Sequence, residues 1–193
     1  MMKSFALGTA LALSACGAHA QSAPQAAIPI SIRFAALQAN SPPGSCGCFW
    51  LKGAALDAAI PLLPHVSAAI EVAGVTTNRV PATSRGLSTI TLLAGPRYTL
   101  PLHRVSVFTQ FLAGAVRGFD ADFQTGTTHA DTSTAFAFAL AGALDVPVTP
   151  RFAVRAAQVE YLQSNLPNGV DNRQRNVRLG AGIVYRLTLP PSR

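Results

Sequence analysis

Between Val177 and Leu187 the chain changes character at every residue. Val177, Leu179, Ala181, Ile183, Tyr185 and Leu187 share one face of an extended segment, while Arg178, Gly180, Gly182, Val184 and Arg186 share the other. Successive side chains of a strand point to opposite sides of a sheet, so alternation over this length predicts a strand. Three other stretches repeat it. Ile28, Ile30, Ile32 and Phe34 oppose Ser31, Arg33 and Ala35; Val66, Ala68, Ile70 and Val72 oppose Ser67, Ala69, Glu71 and Ala73; Phe136, Phe138, Leu140 and Leu144 oppose Ala135, Ala137, Ala139 and Ala141. In each, one face is large and apolar and the other is small or singly charged.

That division is inverted relative to a water-soluble sandwich, which turns its large apolar face inward and a polar face outward. Here the second face is too small and too sparsely charged to be a solvated exterior. Glycine, alanine and isolated ionic groups suit a narrow barrel interior, and the large face then meets lipid. The expected fold is all-β: a closed, antiparallel, up-and-down transmembrane β-barrel of about eight strands. Strands are predicted over 28–38, 48–60, 66–77, 87–100, 104–117, 132–146, 151–163 and 177–189. Connections at Pro61–His65, Pro101–Leu102 and Pro147–Pro150 are short, whereas those at Ala39–Cys46, Asn78–Gly86, Gly118–Asp131 and Ser164–Asn176 are longer and polar. Short turns on one side and long loops on the other are what such a barrel requires. Arg155 and Glu160, and likewise Lys52 and Asp57, are five residues apart and so fall on opposite faces of a regular strand. Either a β-bulge in each strand restores parity or one member of each pair lies near a membrane boundary.

Composition fits a chain partly covered by something other than water. Only 12% of its 193 residues are charged and 49% are hydrophobic, against about 25% charged in ordinary globular proteins; the mean hydropathy is +0.31. The net charge of +7 would suit nucleic acid, but Arg33, Arg97, Arg155, Arg178 and Arg186 sit singly inside apolar segments and form no basic face, so no nucleic-acid partner is expected. Residues 1–20 read as a signal peptide, with Lys3, an apolar run from Phe5 to Leu13 and a small-x-small site at Ala18-His19-Ala20; residues 21–193 are then the barrel domain. Leu13-Ser14-Ala15-Cys16 also resembles a lipobox, in which Cys16 would carry lipid. Both readings export the protein, to the bacterial outer membrane. Cys46 and Cys48 are separated by one residue, which strains a disulfide, and the histidines (His19, His65, His103, His129) are scattered. No metal, cofactor or catalytic residue is assigned.

The segments Cys46-Gly-Cys-Phe-Trp50, Ala94-Gly-Pro-Arg-Tyr98, Arg155-Ala-Ala-Gln-Val-Glu-Tyr161 and Asn172-Arg-Gln-Arg-Asn176 before Leu179-Gly-Ala-Gly-Ile183 resemble the small outer-membrane β-barrel family related to the OmpA N-terminal domain. The likeness is nearest to barrels of the acidobacterial type and spans residues 28–189. With the sequence ending at Arg193, no periplasmic peptidoglycan-binding domain is expected to follow. Members of the family finish on an aromatic residue, whereas Thr188-Leu-Pro-Pro-Ser-Arg193 stands here.

Glu71, Glu160, Arg33, Arg97, Arg155, Arg178 and, less centrally, Arg186 are candidates for an interior ionic network, because charges shielded from water need partners. An eight-stranded interior is only wide enough for side chains to fill. The network is therefore expected to be a structural plug, in a monomeric barrel with a structural or surface-interaction role. A narrow channel for ions or small solutes is the alternative. Trp50, Tyr98, Tyr161 and Tyr185, with Phe49 and Phe152 beside them, fall near strand ends, where interfacial aromatic girdles belong. His129, Asp131 and Ser133 are the one tight grouping of catalytic residue types, in the third long loop. A lipid-modifying enzyme would need them hydrogen-bonded in sequence, which spacing alone does not supply. A secreted lipocalin-like carrier would need an apolar interior and a charged exterior. Outer-membrane lipid is the expected partner, and Arg173 and Arg175 in the last long loop could meet lipopolysaccharide phosphates or a surface partner.

Overall fold

The alternation closes into a ring. The computed structural model describes residues 27–39, 48–81, 84–125, 127–168 and 171–188. The leader over 1–20 with Cys16 and His19, as well as Cys46, lies outside the described residues. Strands run β1 Ala27–Ala39, β2 Phe49–Leu63, β3 Val66–Thr77, β4 Leu87–Pro101, β5 Ser106–Phe119, β6 Phe123–Thr125, β7 Thr128–Ala130, β8 Ser133–Pro147, β9 Phe152–Ser164 and β10 Gln174–Thr188. Each barrel strand pairs antiparallel with its chain neighbours, and β1 pairs with β10 to close an eight-stranded barrel. The short β6–β7 hairpin stands apart, in the long connection between β5 and β8. Barrel strands of 12 to 15 residues exceed the roughly 9–11 that a tilted strand needs to cross a bilayer. No described helix is long and apolar enough to cross one.

Each predicted strand is present, with boundaries within three residues. The wall shows the inverted pattern throughout. Ile32, Phe34, Leu56, Phe136, Leu140, Val159 and Ile183 are all more than half exposed on the outer surface, and the residues between them are buried inside. With no water in a bilayer core, closure leaves no edge strand for the hydrocarbon to leave unpaired.

The two parity conflicts resolve differently. In β9, Ala156 and Ala157 both face outward, and the registers with β8 and β10 slip there; this bulge brings Arg155 and Glu160 to the same interior side. In β2 no bulge separates Lys52 from Asp57, since pairing with β1 runs unbroken from Ala58 to Phe49. Asp57 points inward, and Lys52 points outward near the loop-side end.

Prolines mark where ladder donors are expendable. Pro61, Pro101 and Pro147 sit at strand ends beside the short turns. Pro96 faces outward in β4, and the β4–β5 pairing skips Gly95 and Pro96 between Ala94↔Ala113 and Arg97↔Gln110, as expected of a residue without an N–H. Two glycines of β10 shape the interior. Arg33 of β1 lies opposite Gly182, and a Cβ at Gly180 would come within 3.0 Å of the Arg33 Cδ, while one at Gly182 would come within 2.7 Å of its Cβ. Only glycine leaves that arginine its path across the lumen.

Candidate functional site

The lumen has two chemically distinct parts. Toward the long loops it is an apolar core: Leu37, Leu51, Val75, Leu87, Val116 and Leu162 point inward from the strands. Val80, Ala121, Phe123 and Leu166 from the connections pack over them. The sequence expectation of a small-or-charged interior fails here. Both faces of the loop-side strand ends carry bulky apolar side chains, because the interior is roofed by apolar loop residues instead of opening to water. Among the described residues, the cavity between Leu51, Leu87 and Leu162 is about 10 Å³.

From the middle toward the short turns the lumen is ionic. Arg33, Arg97, Arg155 and Arg178 meet Asp57, Glu71, Asp145 and Glu160, all eight buried. The Asp57 carboxylate is the hub. Its Oδ2 accepts from Arg33 Nη1 at 2.9 Å, Arg155 Nη1 at 2.8 Å and the Ser31 hydroxyl, and its Oδ1 accepts from Arg97 Nη2 at 2.5 Å. Glu71 accepts from Arg33 Nη2 at 2.6 Å and from Arg178 Nη2. Arg178 Nη2 also lies 2.5 Å from Glu160 Oε1, and Arg33 Nη2 lies 3.8 Å from Glu160 Oε2.

Arg155, with no exposed surface at all, grips Asp145 with two nitrogens, Nε at 2.8 Å and Nη2 at 3.1 Å. Its Nη1 also reaches Gln158 at 3.0 Å. Arg97 Nε donates to Gln110 at 2.8 Å, and Arg178 Nη1 donates to Thr91 at 3.3 Å. The guanidinium carbons of Arg97 and Arg155 lie 4.1 and 4.6 Å from the Phe108 ring centroid, a distance at which cation–π attraction operates. With Phe108 included, every one of the eight barrel strands contributes.

The structure thus brings Arg33, Glu71, Arg97, Arg155, Glu160 and Arg178 into one cluster. Arg186 stands apart, half-buried at the turn side. Sequence reasoning left out Asp57, Asp145, Ser31, Gln110 and Gln158. Asp57 carried a usable signal, a lone acid in an alanine-rich strand, but its spacing from Lys52 obscured which of the two points inward. The four cations and four anions cancel, so the net +7 of the chain resides wholly on residues outside this cluster.

At the turn side, a cavity of about 390 Å³ is lined by Pro29, Thr99, Phe108, Asp145, Val184 and Arg186 among others. Asp145 forms part of its wall, and its carboxylate is held by Arg155. Of the girdle candidates, Trp50 and Tyr161 face outward on the loop-side halves of β2 and β9. Tyr98 lies outward near the turn side, and half-buried Tyr185, also near the turn side, meets Phe152 at a tilt with ring centroids 5.2 Å apart. Phe49 is half-buried and packs against the apolar core.

His129, Asp131 and Ser133 do not assemble a catalytic chain. His129 Nδ1 is 2.7 Å from Asp122, and Asp131 pairs with Arg85 at 3.0 Å. The β6–β7 hairpin turns the histidine toward the far side of its own loop, which linear spacing could not reveal. In the last loop, Asp171 accepts from Asn168 Nδ2 at 2.9 Å and from the Arg173 amide at 3.0 Å. These bonds, the Asn168 one foremost, hold its carboxyl below its ordinary value. No described cluster of histidine, cysteine and carboxylate could hold a metal.

No family model and no curated protein matches the chain. Solved structures do. Neisserial surface protein A, NspA, superposes with a TM-score of 0.63 at 18% identity, covering 84% of this chain and 97% of that one. Ail, the attachment invasion locus protein of Yersinia pestis, gives 0.57 at 15%, covering 84% and 99%. OprG of Pseudomonas aeruginosa gives 0.55 at 10%, covering 85% and 97%. The fold is that of a small outer-membrane barrel. At these identities the likeness extends to architecture alone.

Proposed function

We propose that this chain is a non-enzymatic outer-membrane protein, exported through a cleaved signal peptide, whose barrel is a solid scaffold for its surface loops. The observation that carries the reading is the filled lumen: a charge-balanced cluster spanning all eight strands, under an apolar core that leaves about 10 Å³ at the loop side. Buried arginine–carboxylate clusters are costly to break, because a lost partner strands a charge. Such a cluster holds strand register and gives a solute no path. The narrow channel remains the competing reading, since the turn-side cavity brings water to Asp145.

Planar-bilayer recording separates the two. Inserted protein, verified by its faster migration before boiling, is expected to leave the membrane silent. Stepwise ion conductance at moderate voltage would instead make it a channel.

The scaffold reading assigns surface contact to the loops, where Arg79, Arg85 and Arg173 lie, with Arg175 at the loop-side end of β10. A structure of Ail in complex with the heparin analogue sucrose octasulfate supports polyanions, lipopolysaccharide phosphates included, as the first class of partner to test on those loops.

A further inference from the structure

The charges outside the interior cluster are sorted by side. Among the described residues, the carboxylates that do not enter the interior cluster are Asp120, Asp122, Asp131 and Asp171, and all four belong to the long loops. The turn side carries Arg104, Arg151 and Arg186, with His65 and His103 beside them, and no exposed carboxylate among the described residues. Asp145, the acid nearest that rim, is already gripped by Arg155.

These cations are not set in a hydrophilic surface. Leu63, Leu102 and Val148, at or beside the three short turns, are 67%, 57% and 66% exposed. The turns are rigidly built. The Leu102 amide donates to Val105 at 2.8 Å around Arg104, and the Arg186 amide donates to the Arg151 carbonyl at 2.8 Å, which sets the last two arginines side by side. Exposed leucines and valine interleaved with unopposed arginines describe a surface that sits at the boundary between acyl chains and headgroups, not one that stands in water.

From this we infer that the turn-side rim is a docking surface for anionic phospholipid headgroups, with Arg104, Arg151 and Arg186 holding lipid phosphates while the turn leucines enter the acyl boundary. The inference rests on the membrane reading above. It adds a lipid preference confined to one leaflet. Charge complementarity selects the partner. An acidic protein would meet the arginines but leave the apolar turns uncovered, and a neutral headgroup would leave three cations without a counter-charge. The loop side, where both signs are mixed, lacks this selectivity.

The test is electron spin resonance on the full-length protein reconstituted in phosphatidylcholine containing spin-labelled phosphatidylglycerol or spin-labelled phosphatidylcholine. The fraction of motionally restricted label gives relative association. The wild type is expected to prefer the anionic label by about five-fold for each arginine that holds a phosphate, a factor set by roughly 1 kcal/mol per surface cation. The preference should fall away in 1 M salt. It should also be lost in the triple variant Arg104→Gln/Arg151→Gln/Arg186→Gln and kept in the loop-side variant Lys52→Gln/Arg117→Gln.

Equal association of the two labels with wild-type protein overturns the inference. So does a triple variant that retains the preference, or a loop-side variant that abolishes it. Because the salt arm uses unaltered protein, the inference stays exposed even if a variant assembles poorly. Protein that inserts but shows no preference sinks this inference alone, whereas protein that inserts into no bilayer sinks the membrane reading with it.

Discussion

Asp57 concentrates the energetics of the lumen in one side chain. Three arginines and a serine point at its two oxygens, so replacing it with an isosteric amide leaves the volume and strands the charge. Breaking one partner out of a buried ionic group typically costs about 3–5 kcal/mol. Asp57→Asn is expected to lower the unfolding free energy by that order in urea titrations of bilayer-folded protein. Lys52→Gln, on the outer face of the same strand, should change it by no more than about 0.5 kcal/mol. Equal effects would mean that the cluster carries no special weight.

Asp171 makes a different, local prediction. Its carboxyl is held below the ordinary value of 3.8, so its bonds to Asn168 and Arg173 favour the ordered loop when it is ionised. That contribution is full above the ordinary carboxylate value and is lost as pH falls through the depressed one. The Arg173 amide resonance should titrate with a midpoint below 3.8; a midpoint at or above it would mean the bond is not formed in solution.

At the scale of elements, β9 shows how a single inserted residue is used. With Ala156 and Ala157 both outward, Arg155 and Glu160 reach the lumen together. Deleting Ala156 leaves a regular strand that still turns both inward, so the heat-modifiable folded band should persist. Deleting Leu179 from β10, whose own alternation has no spare residue, turns either Arg178 or the Ile183 side of the strand to the wrong environment. That variant should lose the folded band. If both deletions behave alike, facing parity is not what fixes these strands.

This is also the scale at which the sequence was most legible. Period two is a property of neighbouring residues, and it survives without knowledge of any partner strand; hence the strands, the alternation of short and long connections and six of the eight charged residues of the cluster could be read. What stayed hidden depends on residues distant in the chain. The apolar roof over the lumen joins Val80, Phe123 and Leu166 from three separate connections. Nor does the short β6–β7 hairpin have enough alternation of its own to announce itself. Asp145 belongs to the cluster through Arg155, which comes from the next strand.

At the scale of the whole molecule, the buried cluster is electrically neutral and the rest of the protein is cationic. The apolar core lies toward its loops and the ionic cluster toward its turns. The wall between inside and outside has no free margin, because β1 and β10 are in register over twelve residue pairs from Ala27↔Thr188 to Gln38↔Val177. In an open sheet, deuterium enters at the outermost strand and works inward. A ring held in hydrocarbon offers it no first strand, and the amides of the wall can open only together. Exchange in a bilayer should therefore run on two clocks, a fast one for the loops and the small hairpin above the membrane, and a slow one shared by all eight strands of the wall.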